Sequence, residues 1–458
     1  MKPFHFQSFL SRFDSTGSLA CECGREHKIR TRAVFADPGA LETSAAALAR
    51  EFPRARLWVL SDENTEAAAG AKWKAALGGA HIVSRVLAAR PKPAPTAELV
   101  DQLAREMPSA SPDLLVSVGG GVISDLVKRV SLLVDLPNWC VATAASVDAY
   151  SSATAAIDVN GFHNAVPARV SQTLVADPDV IAAAPRDMFL AGLGDLLAKY
   201  IAHLDWNLSR IMTGEYYCPV IATVALESAR SALSAARELG SDPREAVRTL
   251  TDAALSSGFA MQAIGASRPA ASAEHTMGHL WETPLTALKS RLDLHGILVG
   301  AASRMVLHAY RALYARLSAF EPDAPGRLSA FDAEPPWQEI IEPGLRPYIA
   351  KVREEMADRV LDRGVLAQRL ETFRMNKAEI LERGRSILAE LAEAVETLEA
   401  MGYPFAPPEL GIGRELLLLP FRNARLLRRR YSGFDLSYEL GLEGVLRKAG
   451  EEYAASVT

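Results

Sequence analysis

Cysteine is scarce. The chain has 4 in 458 residues, Cys21, Cys23, Cys140 and Cys218. That number and spacing exclude a disulfide framework, and with it the class of small cross-linked secreted scaffolds. No apolar run is long enough to span a bilayer, so no membrane span is expected. The opening residues, MKPFHFQSFLSRFDS, contain neither a signal-peptide apolar core nor a small-residue cleavage site, which points to the cytoplasm. A basic excess is also missing: the formal net charge is −5, against general nucleic-acid binding. What is present is an ordinary globular composition, 49% hydrophobic and 23% charged, in a chain too long for one core. Two domains are expected. In CECGREH, Cys21, Cys23 and His27 come close together. Zinc sites ordinarily use Cys-x2–4-Cys, so Cys-x-Cys with one His is an incomplete set, and the segment reads as a loop with reduced thiols.

The first part of the chain alternates strand and helix. RAVFAD, RLWVLSD, DLLVSVGGG and LPNWCVATA are β-prone runs, and VISDLVKRVSLLV between the last two has helical periodicity. Such alternation implies βαβ units and a parallel sheet. From about residue 180 the pattern becomes long, alanine-rich and helical. EPDAPGRLSAFDAEPPW (321–337), rich in Pro, Gly and acid, reads as an exposed loop. No internal period suggests a solenoid. The expected architecture is an α/β, parallel-sheet domain over 1–180 followed by an all-helical domain over 181–458.

Several segments carry chemistry. Gly119, Gly120 and Gly121 lie between a strand and a helix, where glycine lets the backbone approach a ligand and the helix start offers N–H groups to a phosphate. The pattern is neither GxGxxG nor a Walker loop, and a tight turn alone can require glycine. Asp62 ends a strand, where a carboxylate can accept from ribose hydroxyls or cap the next helix. VATAASVDAYSSA supplies Thr143, Ser146, Asp148 and Ser152 beyond another strand end, as ligand contacts or as helix caps. Asp195 sits in an apolar helical run, where an acid is costly unless paired or bound to a cation; Lys199 is one turn on. His275 and His279 fall one turn apart in a helical segment, and His295 starts another. One Asp with two or three His from separate helices suits a divalent metal with an open coordination position, although any single His is as readily a hydrogen-bonded core residue.

Together, GGGVISDLVK, VATAASVDAYSS, DPDVIAAAPRDMFLAGLGDLLAKYIAHLDWNLS, SRPAASAEHTMGHLWE and LHGILVG resemble the metal-dependent sn-glycerol-1-phosphate dehydrogenases. These are relatives of glycerol dehydrogenase, iron-containing alcohol dehydrogenase and 3-dehydroquinate synthase. The resemblance, from about residue 20 to about 450, implies a Rossmann-like dinucleotide-binding domain followed by a helical metal-binding domain, the dehydroquinate synthase-like fold. It implies that Gly119, Gly120, Gly121, Val122, Ile123, Ser124 and Asp125 bind the phosphates of NAD or NADP. Thr143, Ala144, Ala145, Ser146 and Ser152 would also touch the cofactor, and Asp62 its adenosine ribose. Asp195, His275 and His295 would ligate zinc or nickel, with Asp195 counted also among the catalytic groups, while Asp148 and His279 would meet the substrate. The implied reaction is reversible reduction of dihydroxyacetone phosphate to sn-glycerol 1-phosphate by a homo-oligomer, a dimer or larger. One departure concerns the phosphorylated substrate: in NGFHNAVPAR, His163 stands where a lysine is expected, and Arg169 is a candidate to compensate. A dehydrogenase of the same superfamily acting on an unphosphorylated polyol or alcohol is the alternative. A cyclase like 3-dehydroquinate synthase is disfavoured because that family's glycine–lysine-rich loop is not found after the 140s strand, and a non-catalytic sensor because the metal triad is intact.

Overall fold

The computed structural model describes residues 3–159, 162–288, 294–332, 349–357 and 361–457. By its internal contacts the chain divides into two compact units, Met1–Leu196 with Pro219–Ala270, and Leu197–Cys218 with Ala271–Thr458. The expected boundary at residue 180 does not coincide with this division. Residues 219–270 join the sheet-bearing unit because they contribute side chains to the loop after β7, as described below.

In the first unit the strands are β1 (Ser18–Ala20), β2 (Glu26–Lys28), β3 (Ala33–Phe35), β4 (Arg56–Asp62), β5 (His81–Leu87), β6 (Leu114–Gly119), β7 (Asn138–Ala142), β8 (Thr154–Val159), β9 (Phe162–Pro167) and β10 (Thr173–Val175). The helices are α1 (Phe6–Leu10), α2 (Ala40–Glu51), α3 (Glu63–Thr65), α4 (Ala71–Ala76), α5 (Ala97–Ala110), α6 (Gly121–Leu133), α7 (Pro178–Ala182), the start of α8 (Arg186–Thr213), α9 (Pro219–Glu238) and α10 (Pro243–Ile264). Six strands form a parallel sheet in the order β3-β10-β7-β6-β4-β5. β1–β2 and β8–β9 are separate antiparallel pairs.

Alternation along the strands fills both faces of the sheet. Leu57, Val59, Val116, Trp139 and Val141 pack against Leu41, Leu48 and Trp73 on one side. Trp58, Leu60 and Leu115 pack against Leu103, Met107, Leu126 and Val130 on the other. Each large side chain removed from water in this way contributes about 1.5–3 kcal/mol. Burial on both faces explains why these strands read as continuous apolar runs. From β4 the chain runs to β5 on one side and then to β6 on the other, so the topological switch point lies between β4 and β6. In open parallel sheets that is where ligands bind, beyond the strands' carboxyl ends.

The second unit holds the rest of α8, then α11 (Ala273–Leu288), α12 (His295–Ser318), α13 (Ala324–Asp332), α14 (Ile349–Met356), α15 (Arg363–Ala400), α16 (Arg414–Asn423), α17 (Gly433–Glu439) and α18 (Glu443–Val457). Two buried anchors fix its site-bearing segments. The Asp205 carboxylate of α8 accepts from Ser272 Oγ at 2.7 Å and from Tyr310 Oη at 3.1 Å. Tyr403 Oη donates to Gly296 O at 2.8 Å, holding the first turn of α12. The loop expected over 321–337 is corrected in part: 324–332 is helical, with no buried residue. Pro325 and Gly326 occupy its first turn, where proline is tolerated and Asp323 Oδ1 accepts from Gly326 N at 3.1 Å. Residues 333–337 lie outside the described residues. Among the described residues, no helix is long and apolar enough to cross a membrane.

Candidate active site

In the first unit the site is built from strand ends. β6 ends at Gly119 and α6 begins two residues later, with Gly120 as its N-cap and no side chain capping it. The first-turn N–H groups of α6 are therefore left without a side-chain cap, at the positive end of the helix dipole. The adjacent strand end is tied on by Thr143 N, which donates to Gly119 O at 3.2 Å. Gly120, Gly121 and Val122 are partly exposed. Ile123, Ser124 and Asp125 are buried. Ile123 belongs to the core, and Asp125 Oδ2 accepts from Ala156 N at 2.9 Å. Within 119–125 the exposed groups are thus those of the turn, and they are backbone groups.

Asp62 closes β4 at the neighbouring strand end. Its Oδ1 accepts from Asn64 N and Thr65 N, both at 2.9 Å, and Thr65 Oγ1 answers Asp62 N at 3.0 Å, a full capping box for α3. The loop after β7, carrying Thr143, Ala144, Ala145, Ser146 and Asp148, is buried. It is compressed between two helices. A Cβ on Gly192 of α8 would lie 1.9 Å from Ala145 O, and one on Gly258 of α10 would lie 2.4 Å from Asp148 O. Only glycine permits those backbone approaches. Tyr150 Oη donates to Ala144 O at 2.8 Å, and burial pushes its pKa up, so the phenol stays a donor.

An acid of α8 meets the backbone of this loop. Asp148 N donates to Asp195 Oδ2 at 2.9 Å, and Ser257 Oγ donates to Asp148 Oδ2 at 2.6 Å. Asp195 is 1% exposed, which requires compensation for its charge. Ser152 is fixed as part of a lysine cradle. The fully buried Lys128 Nζ donates to Ala149 O and Thr154 O, both at 2.7 Å, and to Ser152 Oγ at 3.2 Å. It also pairs with Asp125 Oδ1 at 2.9 Å. Nothing in the sequence marked Lys128, because a lone lysine in an amphipathic helix ordinarily belongs to the solvent face.

His163 pairs through Nδ1 with Asp158 Oδ1 at 2.6 Å on the β8–β9 ribbon. Arg169 is the residue proposed to compensate for the missing lysine. It pairs with Asp135, and its carbonyl accepts from Asn138, the first residue of β7.

In the second unit three imidazoles converge. The ring centroids of His275, His279 and His295 are 5.2 to 6.0 Å apart. Each Nδ1 meets a carboxylate: His275 with Glu274 Oε1 at 2.8 Å, His279 with Glu282 Oε2 at 2.7 Å, and His295 with Glu282 Oε1 at 2.6 Å. An ionised carboxylate only accepts, so each Nδ1 carries the hydrogen, and in the neutral ring Nε2 then has the lone pair required of a metal ligand. The donor nitrogens of His275 and His295 lie within 4.8 Å of each other. Glu274 is itself held by Ser272 N at 2.8 Å. The half-buried Arg428 brings positive charge toward Glu274, Glu282 and Glu355, although burial loosens its own proton. Glu282 is the site residue that sequence reasoning missed, although it closes the same stretch, SAEHTMGHLWE; its position at i+3 from His279 was the available signal.

Comparison with known proteins adds the following. Residues 35–185 match the family model described as iron-containing alcohol dehydrogenase. An NAD(P)+ glycerol-1-phosphate dehydrogenase of Geobacillus thermodenitrificans is 31% identical over 44% of this chain and 50% of that protein. The one from Bacillus subtilis is 33% identical over 71% of this chain and 70% of that protein. Among solved structures, glycerol dehydrogenase from Schizosaccharomyces pombe superposes with a TM-score of 0.57 over 93% of this chain and 91% of that one. At 16% identity, that likeness bears on the fold alone.

Proposed function

This chain belongs to the glycerol-1-phosphate dehydrogenase family, and on that premise we propose that it is a metal-dependent, NAD(P)-linked oxidoreductase. In this reading it interconverts dihydroxyacetone phosphate and sn-glycerol 1-phosphate. The observation that carries the reading is the set of three imidazoles whose Nδ1 atoms are all committed to carboxylates.

Asp195, His275 and His295 would hold one divalent ion, zinc or nickel. Two imidazole nitrogens and a carboxylate are donors both ions accept, and three protein ligands leave room for substrate. When bound, such an ion polarises the ketone oxygen, and the reduced nicotinamide supplies the hydride. The remaining work falls to this chain's residues. The α6 N–H groups and the turn Gly119–Gly121 bind the cofactor's phosphates, Thr143 to Ser146 line its path, and Asp62 takes its ribose. Ser152, through the Lys128 cradle, holds that loop in shape. Asp148, fixed by Ser257, touches the substrate. His279, as imidazolium, gives the proton that accompanies hydride transfer and recovers it in the reverse direction, with Glu282 on Nδ1 stabilising the charged ring.

A second reading, an unphosphorylated polyol or alcohol as substrate, is favoured by one observation. His163 stands where a lysine is expected, and its Nδ1 is paired with Asp158. The test is oxidation of NADH and of NADPH followed spectrophotometrically with dihydroxyacetone phosphate, with added Zn2+ or Ni2+ and after chelation. Metal-restored, phosphate-dependent oxidation is expected. Turnover of dihydroxyacetone, glycerol or alkanols with none of the phosphate ester would overturn the leading reading, and chiral analysis of the product tests the sn-1 assignment.

A further inference from the structure

The cysteine-bearing hairpin near the start of the chain takes no part in that chemistry. β1 and β2 are three residues each, a ribbon too short to hold itself together in water. Its turn, Cys21-Glu22-Cys23-Gly24, is closed by Gly24 N donating to Cys21 O at 2.9 Å and Cys21 N donating to Arg25 O at 3.1 Å. Gly24 adopts φ +82°, a conformation that favours glycine. The turn gathers Cys21 Sγ, Cys23 Sγ and a His27 ring nitrogen within 4.8 Å of one another. Cys23 Sγ and His27 Nε2 are 3.4 Å apart. A tetrahedral zinc ion, with Zn–S of about 2.3 Å and Zn–N of about 2.0–2.1 Å, has a sulfur-to-nitrogen edge of roughly 3.5 Å.

The imidazole is set for the same role. His27 Nδ1 lies 3.0 Å from Ala263 O near the end of α10. A carbonyl only accepts, so Nδ1 carries the hydrogen and Nε2, the nitrogen facing Cys23, keeps its lone pair. The ring is 3% exposed.

A fourth donor comes from far along the chain. Glu22, between the two hairpin cysteines, lines one cavity together with Pro219, Val220 and Thr223 at the start of α9. The peptide bond to Pro219 therefore anchors Cys218 beside the hairpin, and its Sγ joins the same group of donors. Cys218 is fully buried, and none of these cysteines is in a disulfide.

We propose that Cys21, Cys23, His27 and Cys218 form a structural zinc site, distinct from the histidine site above. Three thiolates and one imidazole select zinc over magnesium or calcium, whose ligands are oxygens. Four protein donors fill a tetrahedron, leaving no position for substrate. The ion pins a ribbon that cannot stand alone to the start of α9, while His27 ties it to α10. Binding energy at such a site is folding energy.

The test uses the full chain purified with zinc and requires no substrate, so its outcome is independent of the dehydrogenase reading. Treatment with a thiol-binding mercurial should release about one equivalent of zinc per chain. Cys218→Ser and His27→Ala should each lose that equivalent and melt at lower temperature, with the histidine site's metal retained. Cobalt in place of zinc should give a thiolate-to-cobalt charge-transfer band, lost in Cys23→Ser. Where a variant fails to fold, mercurial release and the cobalt spectrum of the unaltered chain decide the matter. No zinc released by the mercurial, or a cobalt spectrum without a thiolate band, overturns the proposal.

Discussion

In the sheet-bearing unit, the turn between β6 and α6 presents backbone groups, and side chains such as Lys128 and Tyr150 hold the neighbouring loops in place. In the helical unit the arrangement is reversed. The backbone is closed in its own helices, and the clustered groups are imidazoles aimed by Glu274 and Glu282. A backbone site depends on glycines that allow close approach and tolerates side-chain change. A side-chain site depends on each partner in a hydrogen-bonded chain. The two units should therefore fail differently when altered.

The sharpest separation should come from the histidines. His275→Ala should lose the metal, measured by elemental analysis, and turnover should fall below detection. His279→Ala should retain the metal yet lose turnover by about 10²–10⁴-fold, the range for removing a positioned acid or base. Equal metal loss in both variants would show that the rings do not divide the work, and the contrast with the sheet unit would then rest on metal binding alone.

The glycine turn, the parallel sheet and both histidine-bearing helices were legible because each is written locally: strand burial, glycine between strand and helix, and helical spacing. What was not legible depends on distant pairing. Glu282 reads as a surface acid at a helix end until His295, from another helix, is placed on its Oε1. Lys128 reads as solvent-facing until Ala149, Ser152 and Thr154 fold over it. Cys218 is one apolar residue among helices until α9 is set beside the hairpin. The helix at 324–332 was hidden by Pro325 and Gly326, which mark loops except in a first turn.

Smaller effects test the supports of each unit. Glu282→Gln leaves the backbone untouched but replaces the acceptor-only group that fixes two imidazole tautomers. Metal affinity or turnover should fall about 10–100-fold, as for other partners of ligating histidines. A loss below twofold would show that the rings are aimed by packing instead. The matching change in the sheet unit is Gly192→Ala. Its added methyl would meet Ala145 O at 1.9 Å and push the loop after β7 outward. The expected cost of such overpacking is about 1–3 kcal/mol. It should appear as a raised KM for NAD(P)H with metal content unchanged, whereas Glu282→Gln should act on the metal.

The smallest expected effect is at Asp62, where the two kinds of construction meet in one side chain. Both capping bonds to α3 land on Oδ1, so the cap requires an oxygen and not a charge. Asparagine keeps that oxygen and caps as well as aspartate. Asp62→Asn should therefore leave the melting temperature essentially unchanged, while Asp62→Ala should destabilise by about 1 kcal/mol. Any role toward the cofactor's ribose depends on the second, charged oxygen, and Asp62→Asn isolates it. A several-fold rise in KM for NADH without a change in stability assigns Asp62 to the cofactor. Unchanged KM in Asp62→Asn, with destabilisation confined to Asp62→Ala, assigns it to the capping box alone.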